Sequence, residues 1–483
     1  MNVKELFNSD NSSKENELIN KAFLFAQKAH KGQKRASGED FTCHVFAVAK
    51  TLAEMNLDCD TVVAGLLHDT LEDTVVSEKE ILDGFGSDVL FLVKGATKIK
   101  GIEAKEKRHT SSRTIMKMLL ATAEDIRVIL IKLADRLHNL KTLNFLSPDK
   151  QKLISKESIE IYGPIAGRLN MGEVKRQIED LAFPYAMPKE YARLIEETEG
   201  YFGERKNYIE RAKPRVIKYI YENGINDFKI DYRAKHLFSL YQKLIKKEGG
   251  IELIYDLVAF RIIVPDVARC YEVLGVLHKR YRPLPGQIKD YIALPKPNGY
   301  QSLHTTVFCE EGNIVEFQIR TTQMHDHAEN GIAAHWSYKD KMRNGRIKTD
   351  VAELAWVNKI KSWREHIQNP EEFFDALKLE IFSDRIFVFT PEGDIKDLPA
   401  GATPIDFAYS IHSDIGSRCS GAKINGKMVN LGYELQGGDV CQILISKNQK
   451  PKRDWLDIAK TAEARKKIRA TLNKSAGIRP ESI

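Results

Sequence analysis

Hydrophobic and polar positions change rhythm twice along the chain. From residue 18 to 183, apolar residues recur at i, i+3, i+4 and i+7 with short polar breaks between runs, the pattern of successive amphipathic helices. "DIRVILIKLADRLHNLKTL" is the longest such run. Residues 184–200, "PYAMPKEYARLIEETEG", mix prolines with a charged helical pattern and read as a connector. From about 225, short β-rich runs ("LVAFRIIV", "SLHTTVF", "NIVEFQIRT") alternate with helical ones such as "VARCYEVLGVLHKRY", and "CEEGN" suits a hairpin turn. Residues 341–380 return to charged helix. "RIFVFTPEGDIKDLPAG" then gives a second hairpin signal that opens a small unit ending near 446. The expected organisation is multidomain. An all-α domain covers 1–185, a helical connector 186–224 and an α/β domain 225–340. A helical linker (341–383), a small α+β unit (384–446) and a basic helical tail (447–483) follow.

Bulk properties narrow the class. At 483 residues the chain exceeds one ordinary core, so two to four domains are expected. It has no apolar run of spanning length, and its start, "MNVKELFNSDNSSKENE", is polar and unlike a targeting segment. Cys43, Cys59, Cys270, Cys309, Cys419 and Cys441 are scattered without a C-x-x-C pair, which argues against a disulfide framework or zinc knuckle and for a reducing cytoplasm. The net charge of +7 sits in the tail, which holds 11 Lys/Arg against 4 Asp/Glu from Lys447 onward. That tail fits RNA or another polyanion, and equally a solvated helix face.

Chemistry enters where ionisable groups interrupt apolar stripes. In "AGLLHDTLEDT", Ala64, Leu67, His68 and Leu71 share one helical face. In "FTCHVFAVAKTL", His44 lies in the stripe of Phe41, Val45, Val48 and Leu52; in the long helix, Ile131, Ala134, Asp135 and His138 share a face. An unpaired buried carboxylate costs several kcal/mol or shifts its pKa until it is neutral. A divalent cation held by His44, His68, Asp135 and the adjacent Asp69 removes that penalty, and such a mixed N/O shell suits manganese, iron or zinc. Glu72 and Asp73 fall one turn beyond His68 and Asp69, where a general acid or base would handle a water bound to the ion. A single core histidine would more simply be structural; three ionisable ligand types on three apolar faces favour a metal.

The H…HD…D order resembles the HD-type metal-dependent phosphohydrolases. "RASGEDFTCH", "AGLLHDTLEDT", "VKGATKIKG" and "IRVILIKLADRLHNLKTL" resemble, more narrowly, the hydrolase domain of RelA/SpoT homologues. The resemblance implies removal of the 3′-pyrophosphate from (p)ppGpp, usually with manganese. His44, His68, Asp69 and Asp135 would be the ligands, Glu72 and Asp73 the catalytic pair, and Arg35, Asn139 and Thr142 nucleotide contacts. Val45 and Asp40 stand where the family usually has proline, which bears on the local turn.

The α/β segment has no G-x-x-x-x-G-K-[ST] loop, so phosphates would be held by side chains. In "NIVEFQIRT", Val315, Phe317 and Ile319 alternate with Glu316, Gln318 and Arg320, so the polar face lines a cleft or is a solvated outer face. "YDLVAFRIIV", "KDYIALPKPNGYQSLHTTV", "VEFQIRT" and "MHDHAENGIAAHWSYK" resemble the (p)ppGpp synthetase domain of the same family. That likeness implies pyrophosphate transfer from ATP to the 3′-hydroxyl of GDP or GTP. Asp256 and Glu316 would hold magnesium, Glu316 would draw the 3′-hydroxyl proton, and Tyr300 would stack on guanine. Arg233, Lys235, Ser239, Lys243, Lys289, Lys296, Asn298, His304 and Gln318 would position the nucleotides. Gln287 departs from the R-x-K-D of bifunctional members, while Lys289 and Asp290 keep the rest of it; weaker or differently tuned synthesis is the expectation.

Residues 384–446 resemble the TGS domain, a β-grasp fold, with His412 matching a histidine associated with tRNA contact. A natural short form and a truncated chain both fit the end at Ile483; ribosome association is not expected, and tRNA contact stays open. The leading expectation is a bifunctional enzyme whose two sites antagonise each other. A hydrolase with a vestigial synthetase comes next, and a non-catalytic RNA-binding regulator third.

Overall fold

The computed structural model describes residues 1–7, 11–97, 107–246, 251, 254, 257–296, 298–334, 360, 377 and 385–475. They form two bodies, residues 1–102 with 117–358, and residues 103–116 with 359–483. Asp256 and nearly all of the expected linker 341–383 lie outside the described residues.

The helical half runs through α1 (Ser13–Ala29), α2 (Phe41–Glu54), α3 (Cys59–Leu67), α4 (Thr70–Asp73), α5 (Glu78–Phe85), α6 (Ser87–Ala96), α7 (Lys107–Glu124), α8 (Arg127–Lys141), α9 (Pro148–Glu157), α10 (Gly163–Arg168) and α11 (Gly172–Ala186). Side-chain caps start several of them: Ser12 and Glu15 form a reciprocal box on α1, and Asp58 accepts the Thr61 N–H at 2.9 Å on α3. The apolar stripes fold inward as expected, with Val45, Val48, Leu52, Val63, Leu66, Leu67, Ile131 and Ala134 inaccessible. One expectation is corrected. "AGLLHDTLEDT" is not a continuous helix: α3 stops at Leu67, Asp69 takes φ −99°, ψ −3°, and its carbonyl starts the new turn of α4 by accepting Glu72 N–H at 3.1 Å and Asp73 N–H at 2.9 Å. The break falls at the His-Asp pair itself.

The segment expected as a connector is α12 (Pro188–Glu222), opened by a proline at its first turn. It is no spacer. Tyr208, Ile209, Ala212, Val216 and Ile220 form a stripe buried in the core of the α/β half, hidden in the sequence by the charges around it. That half holds β1 (Lys229–Ala234), α13 (Leu237–Lys246), β2 (Val258–Val264), α14 (Val267–Arg280), β3 (Arg282–Asp290), β4 (Leu303–Phe308), β5 (Ile314–Thr321) and α15 (Thr322–Asn330). Its sheet runs β1-β2-β5-β4-β3, with β2 and β5 parallel and the other pairs antiparallel. Val315, Phe317 and Ile319 enter the core with Phe260, so the alternation in β5 holds. The β4–β5 turn falls where "CEEGN" predicts it, with Glu311 at φ 61° and Gly312 at φ 72°.

In the second body, β6 (Arg385–Phe389) and β7 (Ile395–Pro399) form the expected hairpin beside a sheet of order β10-β8-β9, with β8 at Cys419–Ile424, β9 at Lys427–Val429 and β10 at Cys441–Ile445. The expected boundary at 446 is not a structural break. Trp455, Ala459, Ala464 and Ile468 share a core with Ile405, Ala408 and Cys419, and the buried Asp406 accepts N–H bonds from Thr403 (2.9 Å), Lys460 (3.0 Å) and Thr461 (2.8 Å). Among the described residues no helix is long and apolar enough to cross a membrane.

Candidate active sites

The first site closes where α2, the α3–α4 break and α8 meet. His44 Nε2 lies 3.4 Å from Asp69 Oδ2 and 3.4 Å from Asp135 Oδ1; His68 Nε2 lies 3.1 Å and 3.8 Å from the same two atoms. Ligand atoms about 2.1 Å from a common ion stand about 3.0–3.5 Å apart, so this set fits a divalent cation with little movement. His68 Nδ1 lies 2.9 Å from the Gly65 carbonyl, which only a protonated Nδ1 can satisfy, so Nε2 is the ring nitrogen turned toward the two carboxylates. That Nε2 is buried and makes no hydrogen bond of proper geometry, despite its nearness to Asp69. His44 Nδ1 meets His138 Nδ1 at 2.9 Å, and Arg35 Nη1 donates to the same His138 nitrogen at 3.1 Å. His138 Nδ1 is therefore the acceptor, His44 Nδ1 carries the proton, and His44 Nε2 faces the two carboxylates.

The electrostatics agree with a site built for positive charge. Burial alone would lower the pKa of His68, but Asp69 and Asp135 override it and push it up to about 10. Burial would likewise raise Asp135; Lys132, whose Nζ lies 2.5 Å from Oδ2, and the two histidines hold it well below the usual carboxylate range. Burial, then His44 and Arg35, bring His138 down to about 3, which keeps it a neutral acceptor.

The three expected nucleotide contacts converge on the rim. Arg35 Nη2 donates to Asn139 Oδ1 (2.7 Å) and Thr142 Oγ1 (3.2 Å), and Asn139 Nδ2 donates to Asp135 Oδ1 (2.6 Å). A cavity of about 320 Å³ opens here, lined among others by Arg35, His44, Asp69, Asp73, Asp135, Asn139 and Thr142. Glu72 is half-buried and acts on the charge of Lys117. The turn carrying Arg35 closes without the family's proline: Arg35 N–H bonds the Glu39 carbonyl at 2.9 Å, Gly38 takes φ 86°, and extended Asp40 leads into α2.

The second site lies on the polar face of β5. Tyr300 Oη bonds His304 Nε2 at 2.9 Å, His304 Nδ1 lies 2.8 Å from Glu316 Oε1, and Gln318 Nε2 donates to that oxygen at 3.1 Å. Burial lowers the His304 pKa, so the ring is neutral, donating from Nδ1 to Glu316 and accepting from Tyr300. Strand register explains the grouping: His304 pairs with both Gln318 and Lys289, and Ala259 faces Glu316. Lys296 Nζ stands 4.6 Å from the Tyr291 ring centre and 4.9 Å from that of Tyr300. Arg233 lies on β1 with Lys235 just after it, and Ser239 and Lys243 lie one turn apart on α13. Asn298, expected as a nucleotide contact, donates from its amide to the Gly167 carbonyl (2.9 Å) and Asn170 Oδ1 (3.2 Å), tying its loop to the helical half. A cavity of about 550 Å³ borders this loop, lined in part by Gly299, Gln301, Thr321, Met324 and His327. His412 sits exposed at the N-terminus of the helix Ser413–Ser417, accepting the Asp414 N–H at 3.2 Å.

Several contributors escaped the sequence reading. His138 was visible on the Asp135 stripe, and Lys132 as the lone cation in "VILIKLAD". The buried Arg320, which with Arg261 shares Glu329, and the corner residue Asn170, bonded to His327, left no signal of their partners.

Site and fold together define a multidomain chain in which an HD domain (residues 22–172) precedes a region found in RelA / SpoT proteins (residues 232–343) and a TGS domain (residues 386–445). Metal-dependent chemistry goes with both of the first two. The chain is 44% identical over 94% of its length to a GTP pyrophosphokinase of Myxococcus xanthus and 45% identical over 95% to a guanosine-3′,5′-bis(diphosphate) 3′-pyrophosphohydrolase of Aquifex aeolicus. It is 42% identical over 94% to the bifunctional (p)ppGpp synthase/hydrolase SpoT of Escherichia coli. It is thus similar, over nearly its whole length, to RelA/SpoT homologues. It spans 60%, 65% and 64% of those three relatives, respectively.

Proposed function

We propose that this chain both makes and destroys (p)ppGpp. The observation that carries the reading is that two separate donor sets, the His44–His68–Asp69–Asp135 cluster and the Tyr300–His304–Glu316–Gln318 row, are intact in one chain. In the hydrolytic site a divalent ion, manganese by family resemblance, would supply Lewis acidity toward the phosphate and the attacking water. Arg35, Asn139 and Thr142 bind and orient the nucleotide. Asp73, with Glu72, takes the proton of the water as it bonds to the phosphorus next to the ribose; the bond from that phosphorus to the 3′ oxygen breaks, pyrophosphate leaves, and the 3′ oxygen takes up a proton to become the hydroxyl.

In the synthetic site, Tyr300 offers guanine a stacking surface, and Arg233, Lys235, Ser239, Lys243, Lys289 and Lys296 neutralise and align the phosphates of ATP and GDP or GTP. Glu316, oriented by His304 and Gln318, accepts the 3′-hydroxyl proton as the oxygen attacks the β-phosphorus of ATP, whose bond to the oxygen bridging the α-phosphate breaks and releases AMP. Asp256 and Glu316 would hold magnesium. Asn298 on the Gly167–Asn170 corner supports antagonism between the sites, and exposed His412 supports tRNA contact.

Gln287 favours a second reading, a hydrolase with weak synthesis, since the strand β3 that carries it has a register shift between Pro283 and Ile288 and lacks the family's arginine. Purified protein is to be incubated with ATP plus GDP or GTP, and separately with ppGpp, with and without manganese, alongside Asp73→Asn and Glu316→Gln. The proposal expects the first variant to lose hydrolysis alone and the second synthesis alone. No ppGpp formed by the unaltered chain would reduce it to a hydrolase, and no manganese-dependent cleavage would remove the hydrolytic half.

A further inference from the structure

Beyond its first residue, Gly172, helix α11 lies outside both the HD match and the RelA/SpoT match, yet it is where the α/β half docks. Phe183 on α11, fully buried, meets Phe238 at 5.3 Å and Tyr241 at 5.1 Å between ring centres. Those two residues form one face of α13, while Ser239 and Lys243, spaced i and i+4, form another. One turn before Phe183 stands Asp180, whose Oδ1 accepts the Phe238 N–H at 3.2 Å. The first N–H groups of a helix have no partner within it; at α13 His236 Nδ1 accepts the Ser239 N–H at 3.4 Å, and Asp180 supplies from a separate element the acceptor for the Phe238 N–H. The same oxygen lies 3.5 Å from His236 Nδ1, and His236 Nε2 bonds Ser239 Oγ at 2.9 Å. Both ring nitrogens of His236 therefore engage Ser239, one its N–H and the other its hydroxyl, while the Asp180 carboxylate stands beside the ring.

We infer that Asp180 is a positioning residue for synthesis: through the α13 N-terminus and His236 it fixes the Ser239 hydroxyl for the polyphosphate of ATP. The inference rests on the synthetic reading above. It assigns to a helix packed on the hydrolytic half a part in the opposite reaction. The polar contacts of Asp180 are to Phe238 and His236, neither of which lines the hydrolytic cavity, so its loss is expected to leave hydrolysis alone.

The test is the KM for ATP and kcat of pyrophosphate transfer in Asp180→Ala, Ser239→Ala and the double variant, with ppGpp hydrolysis measured on the same preparations. Loss of one hydrogen bond corresponds to about a tenfold effect. Asp180→Ala should raise the ATP KM by about that factor, with kcat changed less and hydrolysis within twofold of the unaltered chain. In the Ser239→Ala background the Asp180 change should add under twofold, because both remove the same contact. His236→Gln, which keeps a side-chain partner for Ser239, should recover part of the loss seen in His236→Ala. An unchanged ATP KM, a parallel fall in both activities, or full additivity would overturn the inference. Absence of synthesis in the unaltered chain would instead overturn the synthetic reading itself.

Discussion

Lys132→Met probes the charge balance beneath the hydrolytic site. Lys132 and Asp135 are 6% and 7% exposed, and the ammonium lies 2.5 Å from Oδ2. Methionine keeps most of the aliphatic stem, so little cavity is created and the loss is chiefly electrostatic. Removing one partner of a buried ion pair costs about 3–5 kcal/mol, because the other charge stays buried and unpaired. Asp135 keeps the Asn139 amide and the nearby imidazoles, which puts the expectation at the lower end, about 3 kcal/mol. A bound cation should offset the deficit. Manganese at a hundred times its Kd adds about 2.7 kcal/mol to a folded site, and the variant, relieved of the competing ammonium, should bind it more tightly and gain more than the unaltered chain. Urea unfolding followed by circular dichroism, with chelator and with manganese, measures both effects. A variant within about 0.5 kcal/mol of the unaltered chain in chelator, or a gap between them that manganese does not narrow, would refute the reasoning.

Gln287→Arg should raise the rate of ppGpp synthesis by restoring a fixed cation near the phosphates; an unchanged or lower rate in the nucleotide assay counts against it. Gly331→Ala should cost more than about 3 kcal/mol in urea unfolding: the residue has φ 58°, and an added Cβ would sit 2.0 Å from the Leu169 carbonyl oxygen. Burial holds His278, His304 and His325 of the α/β half below the ordinary histidine pKa. As pH falls from about 6.5 toward their folded values, the unfolded chain binds protons that the folded one refuses. Their stability contribution is therefore whole above that window and shrinks below it, by at most about 1.4 kcal/mol per pH unit for each histidine. Replacing His304 by glutamine should flatten part of that slope in unfolding curves taken between pH 5 and 7.

What the sequence made legible follows from where the cost of burial falls. His44, His68 and Asp135 interrupt apolar stripes, and a buried ionisable group demands a partner, so the stripes alone brought three distant helices to one point. The β5 alternation was legible for the same reason. The break at His68–Asp69 was not, because the helical period continues through it while only the backbone departs. The role of α12 was masked by the charges flanking its narrow stripe, and the packing of Trp455 through Ile468 by the basic residues between them. The corner at Asn170 was out of reach: its partners Asn298 and His327 stand 128 and 157 residues away, and an asparagine at φ 55° announces a turn without naming what it holds.

The central claim is that α2, α8 and the break between α3 and α4 deliver four ligand atoms to one divalent ion. Manganese titration followed by electron paramagnetic resonance, on the unaltered chain and on His68→Gln, tests it most directly. One tight ion per chain is predicted, lost in the variant while synthesis from ATP and GDP persists. Equal manganese binding by both chains would contradict it.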